Sequence, residues 1–228
     1  MLKDLLRILF PDLCIHCGTP LVGDEKYLCT HCLTEIAWTH QAAIPNNETE
    51  LRLAGRIPCQ AAATLMTFKK GSVAQSIVHH IKYHSITSLG IQYGRLLGKE
   101  LKSSGRFNHL DYIVPVPLHW LRKMRRGYNQ SELISKGIAQ ELGIPVVNHN
   151  LRRKKYTHTQ THKSRDERQR NMQAVFSVRN PELFQNKHIL LVDDIITTGA
   201  TTESCYQTLQ SIANFRISVT ALALVELT

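Results

Sequence analysis

The stretch Leu190-Leu191-Val192-Asp193-Asp194-Ile195-Ile196-Thr197-Thr198-Gly199-Ala200-Thr201 constrains this 228-residue chain more than any other. An uninterrupted apolar run reads as a strand buried on both faces, and such strands belong to parallel sheets covered by helices. This run stops at two adjacent carboxylates. A loop of Thr, Thr and Gly follows and opens a helix. In open α/β sheets, ligands bind beyond the carboxyl ends of the strands. Backbone amides of such a loop, aided by the helix dipole, form a cradle for a dianionic phosphate. Gly199 lets the backbone approach the phosphate closely. Thr197, Thr198 and Thr201 add hydroxyl donors. The paired acids would repel a phosphate but accept hydrogen bonds from vicinal hydroxyls, and a ribose 5-phosphate carries both groups.

The remaining pattern agrees with an α/β fold. Ala61 to Phe68, Tyr112 to Val116, Pro145 to Val147, His188 to Val192 and Ile217 to Val225 read as strands. Helices are expected over Val73 to Lys82, where Val73, Ile77, Val78 and Ile81 share a face, and over Leu89 to Lys102, Asn129 to Leu142 and Thr201 to Ile212. Residues 41–60 read as a turn-rich connection. Leu2, Leu5, Leu6 and Leu9 fall at helical spacing and suggest a short helix packed on the body.

Four of the six cysteines form two C-x-x-C pairs, Cys14 with Cys17 and Cys29 with Cys32, separated by eleven residues. Two such turns facing each other supply four thiolates in a tetrahedron, which suits Zn²⁺. Four protein ligands leave no open position, so the site is expected to be structural, with His16 and His31 as spectators. A region of about 25 residues cannot build its own core, and the metal would supply the folding energy. Cys59 and Cys205 read as buried or half-buried thiols. The expected division is therefore a zinc knuckle with an N-terminal helix over 1–40, a linker or hood over 41–60 and the α/β domain over 61–228.

The formal charge of +10 is unevenly spread. Residues 1–40 hold three bases and five acids, and the other 25 bases and 13 acids give residues 41–228 a net +12. A surplus of that size points to an anionic partner, phosphate ligand or nucleic acid. Met1 to Pro11 lacks the apolar core of a signal peptide, and no apolar run approaches membrane-spanning length. The expectation is a cytoplasmic protein without membrane insertion.

The 190–201 segment resembles the signature of type I phosphoribosyltransferases. That resemblance implies that Asp193 and Asp194 hold the ribose 2- and 3-hydroxyls, as the catalytic acids. Thr197, Thr198, Gly199, Ala200 and Thr201 would hold the 5-phosphate. The ligand implied is phosphoribosyl pyrophosphate with Mg²⁺, or a related sugar phosphate. Three further segments narrow the match: Ile113-Val114-Pro115-Val116-Pro117-Leu118, Arg125-Arg126-Gly127-Tyr128-Asn129-Gln130, and Thr157 to Phe176 with Thr159-Gln160, Arg165, Arg168 and Asn171. With the cysteine pairs, they make the chain similar to the ComF family along nearly its whole length. Within that resemblance, the Val116-Pro117 loop would face the pyrophosphate, with Arg125, Arg126 and Lys82 as candidate phosphate ligands.

Arg152, Arg153, Lys154, Lys155, Arg165 and Arg168, interleaved with Tyr156, His158 and His162, fit either a solvated loop over the site or a nucleic-acid surface. The family's association with natural transformation implies single-stranded DNA as a partner. Three roles stay open at this point: a phosphoribosyltransferase of the glycosyltransferase class acting on an unidentified nucleophile, a non-catalytic DNA-uptake accessory, and a GntX-type metabolic accessory.

Overall fold

The computed structural model describes residues 11–84, 86–153 and 175–226. The expected helix within residues 1–11 falls almost wholly outside them, as do Lys154, Lys155, Arg165 and Arg168.

Two short helices precede the sheet, α1 (Thr30–Thr34) and α2 (Glu48–Leu53). Then come β1 (Ala62–Phe68), α3 (Val73–Tyr83), α4 (Thr87–Ser103), β2 (Tyr112–Pro115), α5 (Trp120–Arg126) and α6 (Gln130–Leu142). A small antiparallel pair follows, β3 (Leu151–Arg153) with β4 (Phe176–Val178). The chain ends with β5 (His188–Ile196), α7 (Ala200–Leu209) and β6 (Arg216–Val225).

The main sheet has the order β1-β6-β5-β2 and every pairing is parallel. The expected strand at 145–147 is reduced to one parallel bridge, Val146 against Ile113, at the free edge of β2. Residues 37–39 cover the other edge, with the Thr67 amide donating to Ala37 at 2.8 Å and the Thr39 amide to Leu65 at 3.1 Å. Both edges are thus shielded from open-ended pairing.

Alternation along β5 feeds two cores, one on each face of the sheet. Leu190 and Val192 pack with α3, α4 and α6 through Ile77, Leu97, Ile134 and Ile138. Ile189 and Leu191 pack with Leu53 and with Cys205 and Leu209 of α7. Within 41–60, expected as a turn-rich linker or hood, the structure holds α2. Asn47 caps that helix by accepting from the Glu50 amide at 3.0 Å. Asn47 also donates to the Ala62 carbonyl at 2.8 Å, so the cap ties α2 to β1.

Helix α6, reached from β2 by way of α5, packs on one face of the sheet, and α7, which follows β5, packs on the other. The crevice between the carboxyl ends of β2 and β5 is therefore a topological switch point, where α/β proteins bind ligands.

Candidate functional site

Asp193 and Asp194 lie near the carboxyl end of β5 at that crevice. Asp193 is buried, and its Oδ1 accepts from the Asp194 amide at 2.8 Å. Burial first, and then the neighbouring Asp194 charge, push its carboxyl up to about 7. Lys82 and the Ser131 hydroxyl act in the opposite direction. Asp194 is half-buried and its Oδ2 lies 3.0 Å from Lys82 Nζ, at the end of α3.

Lys82 also lines a cavity of about 470 Å³ with Tyr83, Arg122, Arg125 and Arg126. Three residues named from sequence, Lys82, Arg125 and Arg126, thus share one basic hollow, and Arg122 and Tyr83 join them. The Arg126 guanidinium stands 4.8 Å from the Tyr83 ring centre and donates to Gln130 Oε1 at 2.8 Å. The Tyr128 hydroxyl donates to the Ile81 carbonyl at 2.6 Å, which ties the end of α5 to α3. Helix α5 has no buried residue and hence no apolar face for sequence periodicity to reveal.

Val116 and Pro117 take a different place. The Val116 carbonyl accepts from Asn129 Nδ2 at 3.0 Å. Pro117 lines a second cavity of about 260 Å³ with Trp120, Lys123, His149, Arg152 and Arg153. The structure therefore separates the Val116-Pro117 loop from Arg125 and Arg126, and groups Pro117 with the two described arginines of the basic segment.

The phosphate-loop candidates follow β5. Thr197, Thr198, Ala200 and Thr201 are exposed, and Gly199 caps α7 with a left-handed φ of 81°. Outside the regular strands and helices, the one bond donated by amides 197–201 among the described residues is a long one, Ala200 to Thr198 Oγ1 at 3.4 Å. The loop carbonyls are engaged: Arg52 holds that of Thr197 and Arg56 that of Thr198. The sequence reading missed both arginines. They lie in a stretch taken as a connection, and nothing local marks a partner so far along the chain.

In the N-terminal knuckle, the sulfurs of Cys14, Cys17, Cys29 and Cys32 all lie within 4.8 Å of one another. The Cys17 and Cys29 sulfurs are 3.7 Å apart. A tetrahedral zinc with bonds of about 2.3 Å needs sulfur–sulfur edges of about 3.8 Å, so the donor set fits the metal. His16 instead pairs with Ser76 of α3 at 2.9 Å through Nδ1. Cys205 is buried and Cys59 half-buried, as expected.

Residues 102–219 match the family described as the phosphoribosyl transferase domain. Competence protein F of Haemophilus influenzae is 32% identical over 215 residues, which cover 92% of this chain and 83% of that protein. The DNA utilization protein YhgH of Salmonella typhi is 30% identical over 211 residues, covering 87% of this chain and 91% of its own. Among solved structures, a glutamine phosphoribosylpyrophosphate amidotransferase from B. subtilis superposes with a TM-score of 0.45 at 19% identity, over 62% of this chain and 30% of that one. In the described residues no helix is long and apolar enough to cross a membrane. The chain belongs to the ComF family and carries that family's phosphoribosyl transferase domain.

Proposed function

We propose that the crevice between β2 and β5 binds phosphoribosyl pyrophosphate with Mg²⁺, or a closely related ribose phosphate, and that this binding serves a ComF-type role in DNA uptake. Lys82 carries the reading. Its 3.0 Å pairing with Asp194 joins the two-acid end of β5 to a hollow lined by three arginines. A ligand with vicinal hydroxyls at one end and a diphosphate beside them is the chemistry that uses both. Asp193 and Asp194 accept from the ribose hydroxyls. The amides and hydroxyls of Thr197 to Thr201 take the 5-phosphate at the start of α7. Lys82, Arg122, Arg125 and Arg126 take the pyrophosphate, Arg through its planar fork. The four N-terminal thiolates hold a structural Zn²⁺.

Calorimetric titration of the full chain with phosphoribosyl pyrophosphate and Mg²⁺ tests the site. Heat of binding is expected in the parent and absent in the Asp193→Ala/Asp194→Ala double variant. A parent that gives no heat removes the assignment.

The DNA role is supported by the relatives' names and by the second cavity, where Arg152, Arg153 and Lys123 stand with the rings of Trp120 and His149. Stacking rings among cations suit a single strand. Its affinity for an oligonucleotide is expected to fall steeply with salt, because neutralised phosphates release counterions. Replacing Arg152 and Arg153 by Ala should flatten the salt slope by about 2. An unchanged slope sinks this part of the reading.

A further inference from the structure

The loop from Thr197 to Thr201 is held from behind by side chains of the segment after the cysteine knuckle. Arg52 donates from one terminal nitrogen to the Thr197 carbonyl at 2.7 Å and to the Val225 carbonyl at 3.1 Å. Its other terminal nitrogen reaches Glu48 at 3.0 Å, and only 9% of the side chain is exposed. Arg56, just past α2, donates to the Thr198 carbonyl at 2.6 Å and lies 3.7 Å from Glu203 in the first turn of α7. Leu53 completes the backing: a Cβ on Gly199 would stand 2.8 Å from Leu53 Cδ2.

The platform is itself fixed. Glu50 accepts from the Ala62 amide at 3.0 Å and from Arg106 at 2.6 Å. Buried hydroxyls of Thr49 and Thr64 meet at 3.1 Å, and Gln41 Oε1 accepts from Thr49 at 2.8 Å. These bonds anchor α2 to β1, the strand beside β6, so the two guanidiniums project from a rigid base.

Peptide geometry turns this into an effect on the ligand side. In a trans peptide the carbonyl of one residue and the amide of the next point in opposite directions. Drawing the Thr197 and Thr198 carbonyls toward α2 turns the Thr198 and Gly199 amides away from it. A cation hydrogen-bonded to a carbonyl also polarises that peptide and strengthens its N–H as a donor.

We propose that Arg52 and Arg56 are positioning residues for the phosphate group: from behind the loop they fix and polarise the peptides whose amides receive it. This rests on the sugar-phosphate reading above. Neither guanidinium needs to touch the ligand. The 41–60 segment, expected from sequence to be a linker or hood, thereby takes part in holding the phosphate loop.

The test uses the full chain, with ribose 5-phosphate and inorganic pyrophosphate as separate calorimetric probes. Loss of a charge-assisted bond to the loop predicts a fall of roughly tenfold in ribose 5-phosphate affinity for Arg52→Gln and for Arg56→Gln. Pyrophosphate affinity should hold, because Lys82, Arg122, Arg125 and Arg126 are untouched. Arg56→Lys, which keeps a cation and a donor, should recover most of the loss. Should Arg52→Gln fail to fold, Arg56, with 45% of its side chain exposed, carries the test alone. Equal loss for both probes marks a general structural role and overturns the proposal, as does no loss for either. A second readout separates this inference from the reading beneath it. In the ligand-free protein, the amide resonances of Thr198 and Gly199 should shift in the Gln variants. Unmoved resonances overturn the positioning role, whereas a parent with shifted resonances in its variants but no ribose 5-phosphate binding overturns the sugar-phosphate reading instead.

Discussion

Asp193 and Asp194 are adjacent in sequence yet occupy different electrostatic surroundings. Asp194 has Lys82 at 3.0 Å, while Asp193 is buried and feels its neighbour's charge. An unfolded aspartate titrates near 3.9, and the folded Asp193 near 7. Between those values the native protein keeps a proton that the unfolded chain has released. Stability therefore falls as pH rises through that window and levels off above about 7. Asn at 193 can still accept from the Asp194 amide and carries no charge. Asp193→Asn is expected to raise stability at pH 8 by about 1–3 kcal/mol, an order-of-magnitude figure for a buried carboxylate beside another. It should give almost nothing at about pH 3, below the unfolded value. Denaturant melts at the two pH values check this, and an equal effect at both would show that the burial of Asp193 is not what raises its carboxyl. The acid pair itself was legible in the sequence, because an apolar run that ends in two carboxylates is a local pattern. The asymmetry was not, because Lys82 and Ser131 reach it only through the fold.

At the scale of elements, the sequence was informative wherever a helix or strand had a clear face. The spacing of Val73, Ile77, Val78 and Ile81 marked α3, and the structure buries all four. The tight pairing of α4 with α6 was hidden, because its agents are glycines rather than apolar residues. A Cβ on Gly94 would lie 2.3 Å from the Ile134 carbonyl oxygen, and one on Gly137 would lie 2.2 Å from that of Ile91. Side chains there would force the helices apart, and α6 presents Ser131 to Asp193 at its first turn. Helix α5 escaped notice for the opposite reason: Leu121 and Met124 are exposed, so it has no buried stripe to read. Strands β3 and β4 are only three residues each and pair antiparallel across a long insertion, so neither offers enough period to detect.

For the whole molecule, the question is whether the cysteine knuckle is an appendage or part of the fold. Cys14, Leu28, Cys29 and Cys32 belong to the same apolar core as Ile77, Leu89 and Leu97 of α3 and α4. Two polar ties reinforce that seam, His16 to Ser76 at 2.9 Å and Tyr27 to Ser88 at 2.6 Å. The four-thiolate cluster was visible from spacing alone, but its attachment was not, since neither Ser76 nor Ser88 carries any mark of a partner. A knuckle that shares the main core cannot unfold without exposing α3, and α3 carries Lys82 into the proposed ligand site. Metal loss should therefore register in the body of the protein. Elemental analysis is expected to find one zinc per chain. Stripping it with a chelator, or replacing the buried Cys32 by Ser, should lower the midpoint of the single thermal transition by roughly 10 °C, since a few kcal/mol shift a chain of this size by that much. A separate early transition would mean that the knuckle folds independently of the sheet. A midpoint indifferent to the chelator in a zinc-loaded protein would mean that the shared core, rather than the metal, holds Cys14 and Cys32 in place.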